Sequence, residues 1–251
     1  MSGKVPGRAI LFPVSLVAAL VFIGVGSVVV TGRPAEVLFD HPSKHFPYPL
    51  TIQNIMHVVF FIGLGELFAR WRSGILEEGH VGQRYLPEDE QTVLTARDLG
   101  PIRLRVAREH SRDHGFLPSL IDLSILQFLA SKSVDQTATV MNSSLELIAH
   151  RVDMKYGIVR FIAWLVPTLG FIGTVYALGA SLSEAGSSTG DLNIKEVAKT
   201  LGVGFDCTMV ALAQSAILVF LMQLIQEKEE TAVNLAGDYT LRNLINRLYQ
   251  G

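Results

Sequence analysis

The chain contains one cysteine, Cys207, so an intrachain disulfide framework and a cysteine-based zinc site are both excluded. Charge is also scarce. Only 18% of the 251 residues are Asp, Glu, Lys or Arg, where an ordinary soluble domain carries about a quarter. Neither sign dominates: the formal net charge is −2 and the isoelectric point about 6.4, so no basic surplus draws the chain to nucleic acid. Catalytic signatures are missing too. There is no H-E-x-x-H, no P-loop and no G-x-S-x-G nucleophile elbow, and the seven histidines are dispersed. His110 and His114, at i and i+4, lack a nearby Cys or Glu-x-x-His partner and read as a solvated face. The expectation is a non-enzyme with no cofactor and no metal.

Apolar residues make up 49% of the chain, and mean hydropathy is +0.36. Residues 9–30 carry no charge over 22 positions; at 1.5 Å per residue that is about 33 Å, enough for a bilayer core. This run is longer than a signal-peptide core and no A-x-A site follows it, so it reads as a retained anchor. A second, weaker span covers 52–69, with Gln53, Asn54 and His57 near one end and Glu66 near the other. Arg70, Trp71 and Arg72 close it. His57 and Glu66 read as interfacial groups. Residues 161–182 form a third uncharged run, and 201–225 a fourth interrupted only by Asp206.

Four spans put both termini on one side. Of the 21 lysines and arginines, Arg33, Lys44, Lys195 and Lys199 fall in the loops of one face, and the other 17 fall on the opposite face. Because Lys4, Arg8, Arg70, Arg72, Lys155 and Arg160 flank the spans on that second face, it is expected to be cytoplasmic. Between the second and third spans, residues 71–157 show no strand-like alternation. Turn signals stand at Gly79, Gly82, Pro87, Gly100-Pro101 and Gly115 to Pro118, and no Gly or Pro follows from Ser119 until Gly157. Leu145, Ile148, Val152 and Tyr156 recur at helical spacing, which predicts one long helix over 119–182, part stalk and part span. After 226, Leu241, Leu244, Ile245 and Leu248 make an amphipathic stripe, predicting a tail helix over 227–251. The fold class is thus an all-α integral membrane protein: two peripheral helices in 1–70, a mostly helical cytoplasmic stalk at 71–157, two inner helices at about 158–182 and 201–225, and the cytoplasmic tail.

The inner spans hold their small and polar residues in register. Pro167, Gly170, Thr174, Ala177 and Ser181 share one helical face, as do Gly204, Thr208, Ala211 and Ser215. One reading is close helix packing through small residues. The other is a narrow hydrated path lined by hydroxyls. Thr174 lies eight residues and Thr208 seven residues from the outer ends of antiparallel spans, about 10–12 Å deep, so the two can face each other. Pro167, with Gly170 and Gly173 near it, predicts a kink below that level. Asp206, a carboxylate inside a span, is a functional suspect by location. Its two-residue offset from Thr208 corresponds to about 200° of helix, which turns it away from the hydroxyl face.

With these residues in view, about 135–230 resembles the MotA/TolQ/ExbB proton-channel family. The likeness rests on the stalk approach ELIAHRVDMKYGIVRFIAWLVP, the third-span run PTLGFIGTVYALGASL with Gly173, Thr174 and Val175 after P-x-L-G, and the fourth-span run VAKTLGVGFDCTMVALAQSAIL with Thr208. Four spans with cytoplasmic termini suit the MotA layout, the pore sequence looks more like TolQ or ExbB, and Cys207 stands where relatives often carry a hydroxyl. The resemblance implies a channel-forming subunit of a rotary stator in the bacterial inner membrane, proton-driven or sodium-driven. It implies a homopentamer around a dimer of a single-span, Asp-bearing ExbD/TolR/MotB-like partner, with Thr174, Thr208, Ser181 and Ser215 along the ion pathway. Threonine cannot shuttle protons at neutral pH and the third span has no carboxylate, so a proton path would need an acid from another chain. The alternative is a non-conducting membrane scaffold or assembly subunit. The output process, whether motility, envelope maintenance, import or defence, is left open.

Overall fold

The computed structural model describes residues 8–41, 47–89, 91–107, 115–187 and 194–249; Lys4, Lys44, His110 and His114 lie outside them. The described residues are helical and form no β-strand, apart from one bridge between Leu94 and Leu248. Four helical stretches are long and apolar enough to cross a bilayer. The chain divides into two compact units, one built from Pro6–Phe68 and Gly157–Gln223, the other including Ala69–Tyr156 and Leu224–Gly251.

The first unit holds α1 (Arg8–Val29), the short α2 (Arg33–Phe39), the beginning of α3 (Ile52–Val81), all of α7 (Gly157–Ser187) and the first part of α8 (Ile194–Asn243). In α1, Leu11, Ser15, Ala19 and Ile23 are buried at four-residue spacing, while Ile10, Phe12, Val14, Val17 and Val21 are exposed. One stripe therefore faces protein and the rest is apolar surface, as a peripheral membrane helix requires. Ser15 sits so close to Gly65 of α3 that a β-carbon there would collide with its hydroxyl. Two residues earlier in α3, Gly63 leaves room for Ile162 of α7 and Leu218 of α8. The chain turns into α2 through Gly32 at φ 74° and leaves it through Asp40 at φ 50°.

The second unit holds the end of α3, then α4 (Ala96–Ala107), α5 (Phe116–Ser131), α6 (Val134–Lys155) and the end of α8. The single helix expected over 119–182 is instead three. Lys132 adopts the left-handed conformation at φ 54° and ends α5, and Ser133 caps α6 by accepting the Gln136 amide hydrogen. Tyr156 then separates α6 from α7. Gly100-Pro101, read as a turn, lies within α4, whose start is secured by Asp98 accepting from the Thr95 hydroxyl at 2.6 Å and amide at 2.9 Å. Those two bonds hold the Asp98 carboxyl below the usual carboxylate range.

Two buried acids brace this unit. Glu77 of α3 accepts the amide hydrogens of Gly115 and Phe116, each at 2.7 Å, and so satisfies orphan donors at the start of α5. Glu229 of α8, fully buried, accepts from the Tyr156 hydroxyl at 2.9 Å and the Ser73 hydroxyl at 3.3 Å. The tail helix expected over 227–251 ends at Asn243; a 3-10 turn, Ile245–Arg247, follows. Leu244 and Ile245 are buried there, and Arg247 donates to the carbonyls of Pro87 and Glu88.

Candidate ion pathway between α7 and α8

Close approach comes first, because it decides what a hydroxyl can reach. A β-carbon on Gly170 of α7 would collide with that of Ala211 and lie 3.2 Å from the Thr208 α-carbon of α8. One on Gly204 of α8 would lie 2.8 Å from the Ala177 β-carbon and 3.1 Å from the Thr174 α-carbon. Gly173 faces Cys207, with its sulfur 2.5 Å from the would-be β-carbon. Glycines thus alternate across the seam, each helix supplying a gap for the other, and the backbones come within side-chain hydroxyl range.

The four hydroxyl residues use that range in the same way. Thr174 donates to the Gly204 carbonyl at 2.9 Å across the seam, with its own Gly170 carbonyl at 3.3 Å. Thr208 donates back to the Gly170 carbonyl at 3.0 Å, and the two threonine oxygens touch. Ser181 bonds the Ala177 carbonyl in its own helix at 2.8 Å and reaches the Val197 carbonyl of α8 at 3.4 Å. Ser215 donates to the Ala163 carbonyl at 2.8 Å. This last bond has a covalent cause. Pro167, inside α7, has no N–H to give the carbonyl four residues earlier, which is Ala163, and Ser215 of α8 supplies the missing donor.

Counting protons shows what the Thr174–Thr208 site offers. Two hydroxyl oxygens and the carbonyls of Gly170 and Gly204 meet there, and beyond the amide hydrogens that the helices direct at those carbonyls only two hydroxyl hydrogens serve them all. The cluster is rich in acceptors, and both threonines are half-buried rather than sealed. It can accept a hydrogen bond from an incoming O–H or contribute oxygens to a cation. It has no group of its own that exchanges a proton near neutral pH.

Asp206 points elsewhere. Its carboxylate meets the Arg33 guanidinium of α2 at 3.0 and 3.2 Å, while Arg33 also approaches Glu36 at 3.6 Å and Lys199 reaches Glu36 at 3.5 Å. Arg33 was not singled out from the sequence, and no local signal could have found it, since it lies 173 residues from Asp206. His57, expected at an interface, is instead buried and bonded to Gln214 of α8. Among the described residues no cluster of His, Cys, Asp and Glu could hold a metal ion.

Residues 114–236, from α5 through most of α8, match the family model described as the MotA/TolQ/ExbB proton channel family. No curated protein and no solved structure matches the chain. The matched segment contains the whole α7–α8 seam, with Thr174, Thr208, Pro167, Ser181 and Ser215. The chain is a multi-pass membrane protein whose 114–236 segment belongs to the MotA/TolQ/ExbB proton channel family.

Proposed function

We propose that this chain is the channel-forming subunit of an ion-driven stator in the bacterial inner membrane, with Thr174 and Thr208 on the conducting path. The acceptor-rich contact between those two threonines carries the reading. A protonated carboxyl from a second chain has the one thing this cluster lacks, a free O–H, and loses it as the proton moves on. The acid is taken to come from outside, because the only carboxylate within the two inner spans, 161–182 and 201–225, is Asp206, which Arg33 engages. As the family likeness implies, the partner is a single-span, Asp-bearing ExbD/TolR/MotB-like protein, in a complex of five copies of this chain around two of it. One charge falling through 100 mV releases about 2.3 kcal/mol, so the complex sums several steps to do mechanical work.

The partner is tested by co-purification: the chain should carry a single-span, Asp-bearing protein with it, at a five-to-two ratio by native mass spectrometry. Isolation of a stable homo-oligomer that binds no such protein would favour the scaffold. That second reading has its own support in the glycine-lined seam, since close packing alone explains Gly170, Gly173 and Gly204.

Orientation follows from the basic flanks at Arg70, Arg72 and Arg160. Both termini and the 71–157 stalk face the cytoplasm. A cysteine placed at Ser183 should react with a membrane-impermeant maleimide from outside the cell, and one at Ser143 only after permeabilisation. The opposite pattern would reverse the proposed direction of ion flow.

A further inference from the structure

His57 is 3% exposed and Gln214 6%. The Nε2 atom of His57 lies 2.9 Å from the Leu38 carbonyl oxygen of α2, and its Nδ1 lies 2.6 Å from the Gln214 Nε2 of α8. A carbonyl only accepts, so His57 Nε2 carries the ring hydrogen. In a neutral imidazole Nδ1 is then an acceptor, and Gln214 must turn its NH2 towards it. The consequence falls on the other end of the amide: Gln214 Oε1 is buried and has no hydrogen-bond partner among the described residues. A buried acceptor left without a donor is unfavourable. Here it stands beside the one side chain that can gain a donor by binding a proton.

We propose that His57 and Gln214 form a proton-binding site, apart from the threonine pair, in which the unpaired amide oxygen receives the second ring hydrogen. A proton adds to the Nδ1 lone pair. The Gln214 amide then turns over, withdrawing its NH2 and presenting Oε1 to the new N–H. One N–H bond forms, none breaks, and the ring gains one positive charge while keeping its bond to Leu38. In the loaded state both ring hydrogens end on oxygen acceptors. Both side chains line a recess of about 460 Å³, with Phe22, Phe60 and Phe61 among its walls. That recess gives the amide room to rotate.

Burial opposes the charge, and among the described residues no acid bonds to the ring, because neutral groups take both ring nitrogens. The nearest formal charges on the helices packed around the ring are Arg33, Glu36 and Asp40 on or beside α2, and Lys199 and Asp206 on α8; residues 9–30 have none, and α3 has none before Glu66. Arg33 and Lys199 are already engaged by Asp206 and Glu36. The cation is held instead by its two acceptors and by the phenyl rings of Phe22 and Phe39, whose centroids lie 5.1 and 5.4 Å away. Because Leu38, His57 and Gln214 belong to three helices, loading tightens the hold of α2 and α3 on the helix that carries Thr208.

Solid-state NMR of the full chain, labelled on histidine and placed in phosphatidylethanolamine–phosphatidylglycerol bilayers, tests the site. The His57 signals are identified by their loss in His57→Asn. At about pH 8 the ring should be the neutral Nε2–H tautomer, and by about pH 5 it should be protonated on both nitrogens. Gln214→Met, which removes the acceptor at similar volume, should lower the midpoint by one pH unit or more, and Gln214→Glu should raise it. A wild-type ring that stays neutral to about pH 5, or that begins as the Nδ1–H tautomer, would overturn the proposal whether or not the variants assemble. So would one midpoint shared by all three chains.

Discussion

Each hydroxyl in the α7–α8 seam has one hydrogen to give, and all four lie within hydrogen-bond reach of backbone carbonyls, so side-chain substitutions here are tests of backbone satisfaction. Ser215→Ala leaves the Ala163 carbonyl facing Pro167 with no donor. It should cost about 1–3 kcal/mol, the penalty for a buried unsatisfied group. Adding Pro167→Ala returns an amide to that carbonyl and should recover most of the loss, so the two changes should be clearly non-additive in thermal unfolding of the membrane-extracted protein. Additive losses would mean that Ser215 serves some purpose other than replacing the proline's missing donor. Asp206 calls for a different expectation. Arg33 is well exposed, so their pair is worth about 1 kcal/mol or less, and both Asp206→Asn and Arg33→Gln should lower assembly yield modestly while the assembled fraction conducts normally. Normal assembly with lost flux in Asp206→Asn would put the carboxylate on the ion path.

Among the elements, α7 and α8 are held by complementary gaps, and the gaps set what each tolerates. Gly204→Ala pushes a methyl against Ala177 and the Thr174 backbone; overpacking of this kind costs about 1–3 kcal/mol and separates the two threonines. Its unfolding temperature should fall, whereas Gly202→Ala, with open space around its α-carbon, should leave that temperature unchanged or raise it. Much of this seam is readable in the sequence, because residues three and four apart fall on one face and counting inward from the span ends brings Thr174 and Thr208 to one depth. The break between α5 and α6 was readable as well. Ser133 and Gln136 have the S-x-x-Q spacing of a capping box, of which the structure makes the Ser133 half, but with no Gly or Pro nearby the helical periodicity outweighs it. The continuation of α8 from the fourth span to Asn243 hid the tail's real ending, since Leu244, Ile245 and Leu248 keep helical spacing while the chain leaves the helix for a 3-10 turn.

At the scale of the whole chain, what resisted reading is long-range. Asp206 with Arg33 and His57 with Gln214 are joined across 173 and 157 residues, and helical periodicity carries no information about which distant residue fills a face. Composition and span count do identify a membrane protein, and the family match covers the helices that hold the seam. The central claim, that hydroxyls on this seam take part in ion transfer as well as helix packing, is tested by proton flux into liposomes holding the chain with its single-span partner. Thr174→Val and Thr208→Val keep side-chain shape and remove the O–H, a loss of about 0.5–1.5 kcal/mol for each hydrogen bond, small beside the packing of the assembly. Both variants should therefore form oligomers of wild-type size and lose most of the flux. Undiminished flux in both would contradict the claim and leave the seam as packing alone.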